Sequence, residues 1–144
     1  MTSAEEFDQA IDASHRALDE IARGNPDAFF ALYSHRDDAT LANPYGPPAR
    51  GWSEIEAAGR RAASNYRDGK AVAFESFARS LSAELGYTLE IERFEAKLAG
   101  GDELAPVSLR VTSIFRLEDG SWKLVHRHAD PITTQRSGDS VIQT

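Results

Sequence analysis

The chain has 144 residues, a formal net charge of −7 and no cysteine, and this composition is typical of one soluble globular domain. Without cysteine, the protein has no disulfides, thiolate metal ligands or cysteine nucleophiles. The acidic balance argues against nucleic acid as a partner, and no apolar run is long enough to cross a membrane. A secretory signal begins with basic residues followed by an apolar stretch, whereas the first residues here are acidic. We therefore expect a cytoplasmic protein without a secretory signal.

The first half of the chain is predicted to hold three helices and one short strand. Apolar residues recur at helical spacing from Phe7 to Ile21. Ser3 and Glu6 have the pattern of a capping box at the start of that helix, and Ser53 opens another. The predicted helices cover residues 3–23, 25–34 and 53–67, and the strand covers residues 39–42.

The second half is predicted to be an antiparallel meander, because from Lys70 onward apolar and polar residues alternate. A first strand starts there, and three more cover residues 83–98, 107–117 and 122–129. Helices followed by consecutive strands favour an α+β fold, in which a curved sheet wraps around the helices and leaves a pocket at its open end. We expect one domain over residues 1–131 and a flexible tail over residues 132–144.

Two blocks of sequence carry a recognisable pattern. The first, residues 32–55, includes Asn-Pro-Tyr-Gly at 43–46 and Gly-Trp-Ser-Glu-Ile at 51–55, and the second, residues 109–130, ends in Trp-Lys-Leu-Val-His-Arg-His-Ala-Asp. Together they resemble the SnoaL-like and ketosteroid isomerase-like families of the nuclear transport factor 2-like superfamily. The resemblance implies a cone-shaped α+β barrel with three N-terminal helices packed in a strongly curved antiparallel sheet. It also implies a homodimer.

The resemblance can be tested at the three positions that steroid isomerisation needs. The position of the carboxylate base is Asn43, that of the tyrosine donor is Ala17, and that of the protonated aspartate is Thr112. An amide cannot take a proton from carbon, so we expect no steroid isomerase activity.

The last predicted strand carries polar residues on both faces. His126, His128 and Asp130 point to one side and Arg127 to the other. If residues 118–120 form a three-residue loop, Arg127 faces the interior and the histidines face outward; a two-residue loop reverses this. The first alternative is favoured because it keeps the apolar residues of neighbouring strands together.

The favoured register pairs Leu117 with Ser121 and Val111 with Arg127. It places Ser113 in the interior and leaves an apolar outer face that a second copy could cover. That outer face would carry Ile114, Trp122 and Leu124.

A guanidinium inside an apolar cone needs a carboxylate or an anionic ligand, so Arg127 is predicted to contact one. Arg93 shares a strand face with apolar residues and is expected to point inward as well. The association domain of calmodulin-dependent kinase has the fold that the resemblance implies and an arginine-lined pocket. It is therefore a precedent for an anion site. The candidate substrate-binding residues are Arg127, Asn43, Ser113, Arg93, Tyr45 and Trp52.

The candidate catalytic residues are Asp130, His128 and His126. Asp130 is the nearest equivalent of the acid–base aspartate that the resemblance implies for polyketide cyclases. The His-x-His spacing of His126 and His128 has no third ligand that the sequence assigns securely, so we expect no metal and no cofactor.

Two functions stay open at this point. The first is a small-molecule-binding SnoaL-like protein that acts by acid–base chemistry, of isomerase, cyclase, dehydratase or hydrolase type, on an apolar substrate with a carbonyl group. The alternative is a ligand-binding or assembly module without turnover, whose arginine-lined pocket takes an apolar or anionic ligand.

Overall fold

The computed structural model describes residues 1–143. Three helices pack against a strongly curved six-stranded sheet, in an α+β arrangement with strand order β2-β1-β6-β5-β4-β3. All neighbours are antiparallel except β1 and β6. The sheet does not close on itself, and β2 and β3 are its edges. The elements are α1 (Ser3–Ile21), α2 (Asp27–Leu32), β1 (Thr40–Ala42), β2 (Ala49–Arg50), α3 (Trp52–Ala63), β3 (Tyr66–Leu81), β4 (Leu85–Leu98), β5 (Leu104–Glu118), β6 (Ser121–Asp130) and a short 3-10 helix (Gly138–Val141).

The helix ends differ by a few residues from the sequence prediction. The capping box of α1 joins Thr2 and Glu5, one residue before the predicted pair. Helix α3 ends at Ala63 because the side chains of Ser64 and Asn65 donate to the Arg61 carbonyl, a local bond that competes with further helix. Tyr66, predicted in the helix, therefore opens β3.

The main core lies on the concave side of the sheet under α1. Phe7, in the first turns of α1, is 1% exposed. Its ring centroid lies 5.4 Å from that of Phe115 and 5.3 Å from that of Trp122. These edge-on and tilted aromatic contacts tie α1 to the β5–β6 hairpin.

The β5–β6 turn is a two-residue loop, so the predicted three-residue loop is wrong. Asp119 and Gly120 have φ angles of 51° and 83°, which a two-residue turn of the primed type requires. Glu118 pairs with Ser121, and Leu117 pairs with Trp122 rather than with Ser121.

A bulge at Val125 then changes which side chains of β6 face inward. The short loop alone would turn the histidines inward, and the bulge turns Arg127 inward instead. Ile114 pairs with His126 and Phe115 with Leu124, so Val125 is the extra residue. Before the bulge, Trp122 and Leu124 face the core, and after it Arg127 does. The prediction that Trp122 and Leu124 lie on the outer face is therefore wrong.

Between Tyr87 and Glu92, strand β4 turns its glutamates inward and its apolar residues outward. Glu90 and Glu92 are buried, whereas Tyr87 is 43% exposed. The arrangement is possible because each buried carboxylate has a partner: His15 for Glu90 and Arg127 for Glu92. Arg93, predicted to point inward, is instead on the outer face, where it pairs with Glu75.

Across residues 1–143, no helix combines the length and the apolar character that a bilayer crossing demands.

Candidate functional site

A cavity lies between the helices and the inner face of the sheet. The space in it that the centres of water molecules can occupy is about 50 Å³, and the wider empty space of about 550 Å³ includes open solvent. Most of the wall is apolar, and the polar side chains are few. The lining residues are Leu18, Ile21, Phe29, Leu41, Asn43, Pro44, Tyr45, Gly59, Ala62, Tyr66, Glu92, Phe94, Leu109, Arg127 and Ala129.

A buried ion pair forms one polar part of this wall. Arg127 donates from Nη1 to Oε2 of Glu92 and from Nη2 to Oε1, both at 2.7 Å. Arg127 is 7% exposed and Glu92 is 2% exposed. The predicted burial of Arg127 and its carboxylate partner are thus confirmed, and the partner is a residue that sequence reasoning did not name.

Arg127 keeps its charge in this buried position. Burial alone lowers the pKa of Arg127, but the adjacent Glu92 carboxylate outweighs it, so the pKa of Arg127 is raised overall. The two parallel hydrogen bonds use both carboxylate oxygens, which fixes the orientation of both groups.

Two tyrosine hydroxyls form the other polar part. Tyr45 and Tyr66 are joined by a hydrogen bond between their hydroxyls. Burial, and then the hydrogen bond to Tyr45, raises the pKa of Tyr66 far above its ordinary value, so its phenol stays neutral. One hydroxyl donates to the other, and the accepting hydroxyl keeps its own proton for a further acceptor.

Asn43 supports the loop that carries Tyr45. Its Oδ1 accepts from the Tyr45 backbone N–H at 2.9 Å, and its Nδ2 donates to the Ala58 carbonyl at 3.4 Å. The first bond is typical of an asparagine that starts a turn. Asn43 and Tyr45, both predicted as binding residues, therefore line the cavity together.

Three other predicted binding residues do not line it. Ser113 is buried on the inner face of β5, and Arg93 lies on the outer face. Trp52 is stacked on His35, with ring centroids 3.6 Å apart, at the start of α3.

The three predicted catalytic residues cluster on the outer face of β6, away from the cavity. Nδ1 of His126 lies 2.8 Å from Oγ1 of Thr40, and burial together with the charge of His128 lowers the pKa of His126. Arg110 holds Asp130 through two hydrogen bonds of 3.1 and 2.8 Å. Nε2 of His128 lies 3.4 Å from Oδ2 of Asp130.

The Asp130 carboxylate is thus bound in a surface ion pair. Its burial raises the pKa, but the hydrogen bond from Arg110 and further contacts outweigh this and lower it. Within residues 1–143, no group of three or more histidine or acidic residues has an arrangement that could hold a metal ion.

Sequence reasoning missed Glu92 and the cavity role of Tyr66. Glu92 could have been found, because a buried Arg127 requires a carboxylate and β4 offers Glu90 and Glu92 on one face. Tyr66 gave no such signal, since its predicted place inside the third helix hid its position at the start of a strand.

The sequence profile of the SnoaL-like domain matches residues 8–133, which include the whole cavity wall and all six strands. The chain belongs to the SnoaL-like family. No curated protein sequence matches this SnoaL-like chain.

Solved structures share the fold of the SnoaL-like chain. A nuclear transport factor 2-like superfamily protein from Salmonella enterica is 16% identical, with a TM-score of 0.74 and coverage of 94% of each chain. A ketosteroid isomerase-like protein from Erwinia carotovora is 21% identical, with a TM-score of 0.72 and coverage of 90% of this chain and 96% of that chain. At these identities, the likeness establishes the nuclear transport factor 2-like fold.

The SnoaL-like chain is expected to show no steroid Δ5-to-Δ4 isomerase turnover. Asn43 offers an amide at the base position, buried Ala17 has no hydroxyl, and Thr112 is on the outer face of β5. Its inward neighbours Val111 and Ser113 carry no carboxylate either. A spectrophotometric assay with a Δ5-3-ketosteroid checks this, and turnover comparable to that of a true isomerase would contradict the assignment of these positions.

Proposed function

We propose that this protein binds a small, largely apolar molecule with a carbonyl or similar hydrogen-bond acceptor in the cavity between its helices and its sheet. The observation that carries the proposal is the combination of an apolar wall with a few convergent polar groups. Such a combination is typical of small-molecule sites, where apolar surface supplies most of the affinity and polar groups fix the orientation.

The apolar part of the wall comes from all layers of the fold. Leu18 belongs to α1, Phe29 to α2, Phe94 to β4 and Leu109 to β5. A ligand that displaces water from these side chains gains roughly 25 cal/mol for each Å² of apolar surface buried. An apolar molecule therefore fits this wall better than a sugar or a polyphosphate does.

The tyrosine pair supports an acceptor group on the ligand. A neutral phenol that accepts one hydrogen bond still has a proton to donate, and a ligand carbonyl can take it. The Glu92–Arg127 pair is fixed by its own two hydrogen bonds, so it offers a rigid polar surface rather than a mobile side chain.

Acid–base catalysis on the same ligand is the second candidate. The observation in its favour is that a carboxylate, Glu92, and a neutral phenol, Tyr66, line one cavity. Binding without turnover is better supported, because both oxygens of Glu92 are engaged by Arg127 and the other acid–base candidates are on the outer face. Recovery of a bound ligand unchanged or converted after incubation separates the two.

Binding can be tested with phenylnaphthylamine, a neutral fluorescent probe. We expect its fluorescence to rise on binding to the wild-type protein and this rise to be lost in Ala62→Phe, which fills the cavity from α3. Ala57→Phe is the matched control, since Ala57 is exposed on the same helix. Equal binding by a folded Ala62→Phe protein would contradict the proposal.

We further propose that a second copy of the chain covers the outer face of the sheet. Tyr87, Leu89, Ile91 and Ile114 are neighbours on that face; Tyr87 is 43% exposed and the other three are half-buried. A contiguous apolar patch on a sheet face commonly marks an interface.

Light scattering coupled to size-exclusion chromatography is expected to give a dimer at micromolar concentration. Ile91→Lys is expected to give a monomer, because a lysine at that patch must be desolvated in the dimer. Val141→Lys, in the exposed tail, is expected to leave the dimer intact. A wild-type monomer would contradict the proposal.

A further inference from the structure

We infer that Glu92 makes the cavity selective for neutral ligands and excludes anionic ones. The inference rests on the proposed function and adds to it the charge class of the ligand. It also replaces the idea that Arg127 recognises an anion, because the charge that would attract that anion is already paired.

The charges of the cavity wall cancel. Among residues 1–143, Arg127 is the basic side chain of the wall and Glu92 is the acidic one. Their two 2.7 Å hydrogen bonds leave neither charge without its partner. An anionic ligand would lose its hydration in an apolar cavity and find no unpaired positive charge there.

Proximity to Glu92 adds a second obstacle for an anion. A ligand carboxylate or sulfonate near Arg127 would also lie near the Glu92 carboxylate, and like charges at short range repel strongly where water is excluded. To reach the guanidinium, the anion would have to displace Glu92, which would leave that buried carboxylate unpaired.

A neutral acceptor meets neither obstacle. The proton that the Tyr45–Tyr66 pair can still donate is enough for a carbonyl or ether oxygen. The specificity of the site would therefore come from rejecting charge as well as from apolar contact.

Two probes with the same ring system test this inference: neutral phenylnaphthylamine and anionic anilinonaphthalene sulfonate. Binding that is lost in Ala62→Phe is counted as cavity binding. In the wild-type protein we expect cavity binding of the neutral probe and none of the sulfonate. In Glu92→Gln, the unpaired guanidinium is expected to strengthen cavity binding of the sulfonate about tenfold or more. The measured quantity is the affinity of the sulfonate relative to that of the neutral probe.

Glu90→Gln is the matched control. Glu90 lies on the same face of β4 and is bound by His15 at 2.9 Å, outside the cavity wall. The Glu90→Gln substitution changes the net charge by the same amount as Glu92→Gln does. A similar gain of sulfonate binding in Glu90→Gln would overturn the inference, because total charge rather than Glu92 would then be responsible.

A second variant keeps the test decisive if Glu92→Gln does not fold. Ala62→Lys adds a positive charge to the half-buried wall of α3 with the Glu92–Arg127 pair intact, and we expect it to gain cavity binding of the sulfonate. Ala57→Lys, on the exposed side of α3, should not.

The outcomes separate the two proposals. If neither probe binds the wild-type cavity, the proposed function fails. If the wild-type cavity binds both probes alike, or a folded Glu92→Gln gains no sulfonate binding, ligand binding stands and the neutral-ligand inference is overturned. If Glu92→Gln does not fold, the absence of a gain in Ala62→Lys overturns it instead.

Discussion

Replacing Arg127 by leucine is expected to lower the free energy of unfolding by about 3–5 kcal/mol. The substitution leaves the side chain of Glu92 only 2% exposed and without its two 2.7 Å hydrogen bonds to Arg127. Replacing both members, Arg127→Leu with Glu92→Leu, should restore much of the loss, because a buried ion pair and an apolar pair of similar volume are often close in stability. Urea denaturation followed by circular dichroism measures all three proteins.

Arg93→Leu is the control for the loss of an arginine. Arg93 pairs with Glu75 on the outer face, where the two side chains are 42% and 46% exposed, and exposed pairs contribute at most about 1 kcal/mol. If Arg127→Leu costs no more than Arg93→Leu, the Glu92–Arg127 pair is not buried in the way described here.

Replacing Phe7 by alanine is also expected to cost about 3–5 kcal/mol. Phe7 is 1% exposed and packs against Phe115 and Trp122, so its removal leaves a cavity between α1 and the β5–β6 hairpin. Thermal and urea unfolding both report this loss.

Phe77→Ala provides the comparison for the same chemical change. Phe77 lies on the edge strand β3 and is 66% exposed, so its removal should change the free energy of unfolding by less than about 1 kcal/mol. Equal costs for the two alanine variants would place the core somewhere other than beneath α1.

The helical half of the fold could be predicted because its signals are local. Helical spacing from Phe7 to Ile21 depends only on residues within a few turns of each other. The resemblance of residues 32–55 and 109–130 to a known superfamily supplied the remaining architecture. Exact helix ends were less accessible, since they depend on single side chains such as Thr2 and Ser64.

The alternation of apolar and polar residues alone could not predict which face of each strand points to the core. One extra residue, Val125, reverses the two faces of β6, and a bulge leaves no mark in a period of two. The inward position of Arg127 was correct even though the register behind it was wrong, because the short loop and the bulge compensate each other.

The orientation of strand β4 was predicted wrongly for a different reason. Between Tyr87 and Glu92, its apolar residues face outward and its glutamates face inward, the reverse of the usual rule. That exception depends on partners far away in the sequence, His15 and Arg127, which only the folded chain brings to Glu90 and Glu92.

A crystal structure of the protein with bound phenylnaphthylamine tests the central claim most directly. We expect the probe inside the cavity, with its rings against Phe94 and Leu109, while the Glu92–Arg127 pair is unchanged. A probe bound instead on the outer face beside His128, with the cavity wall untouched, would contradict it.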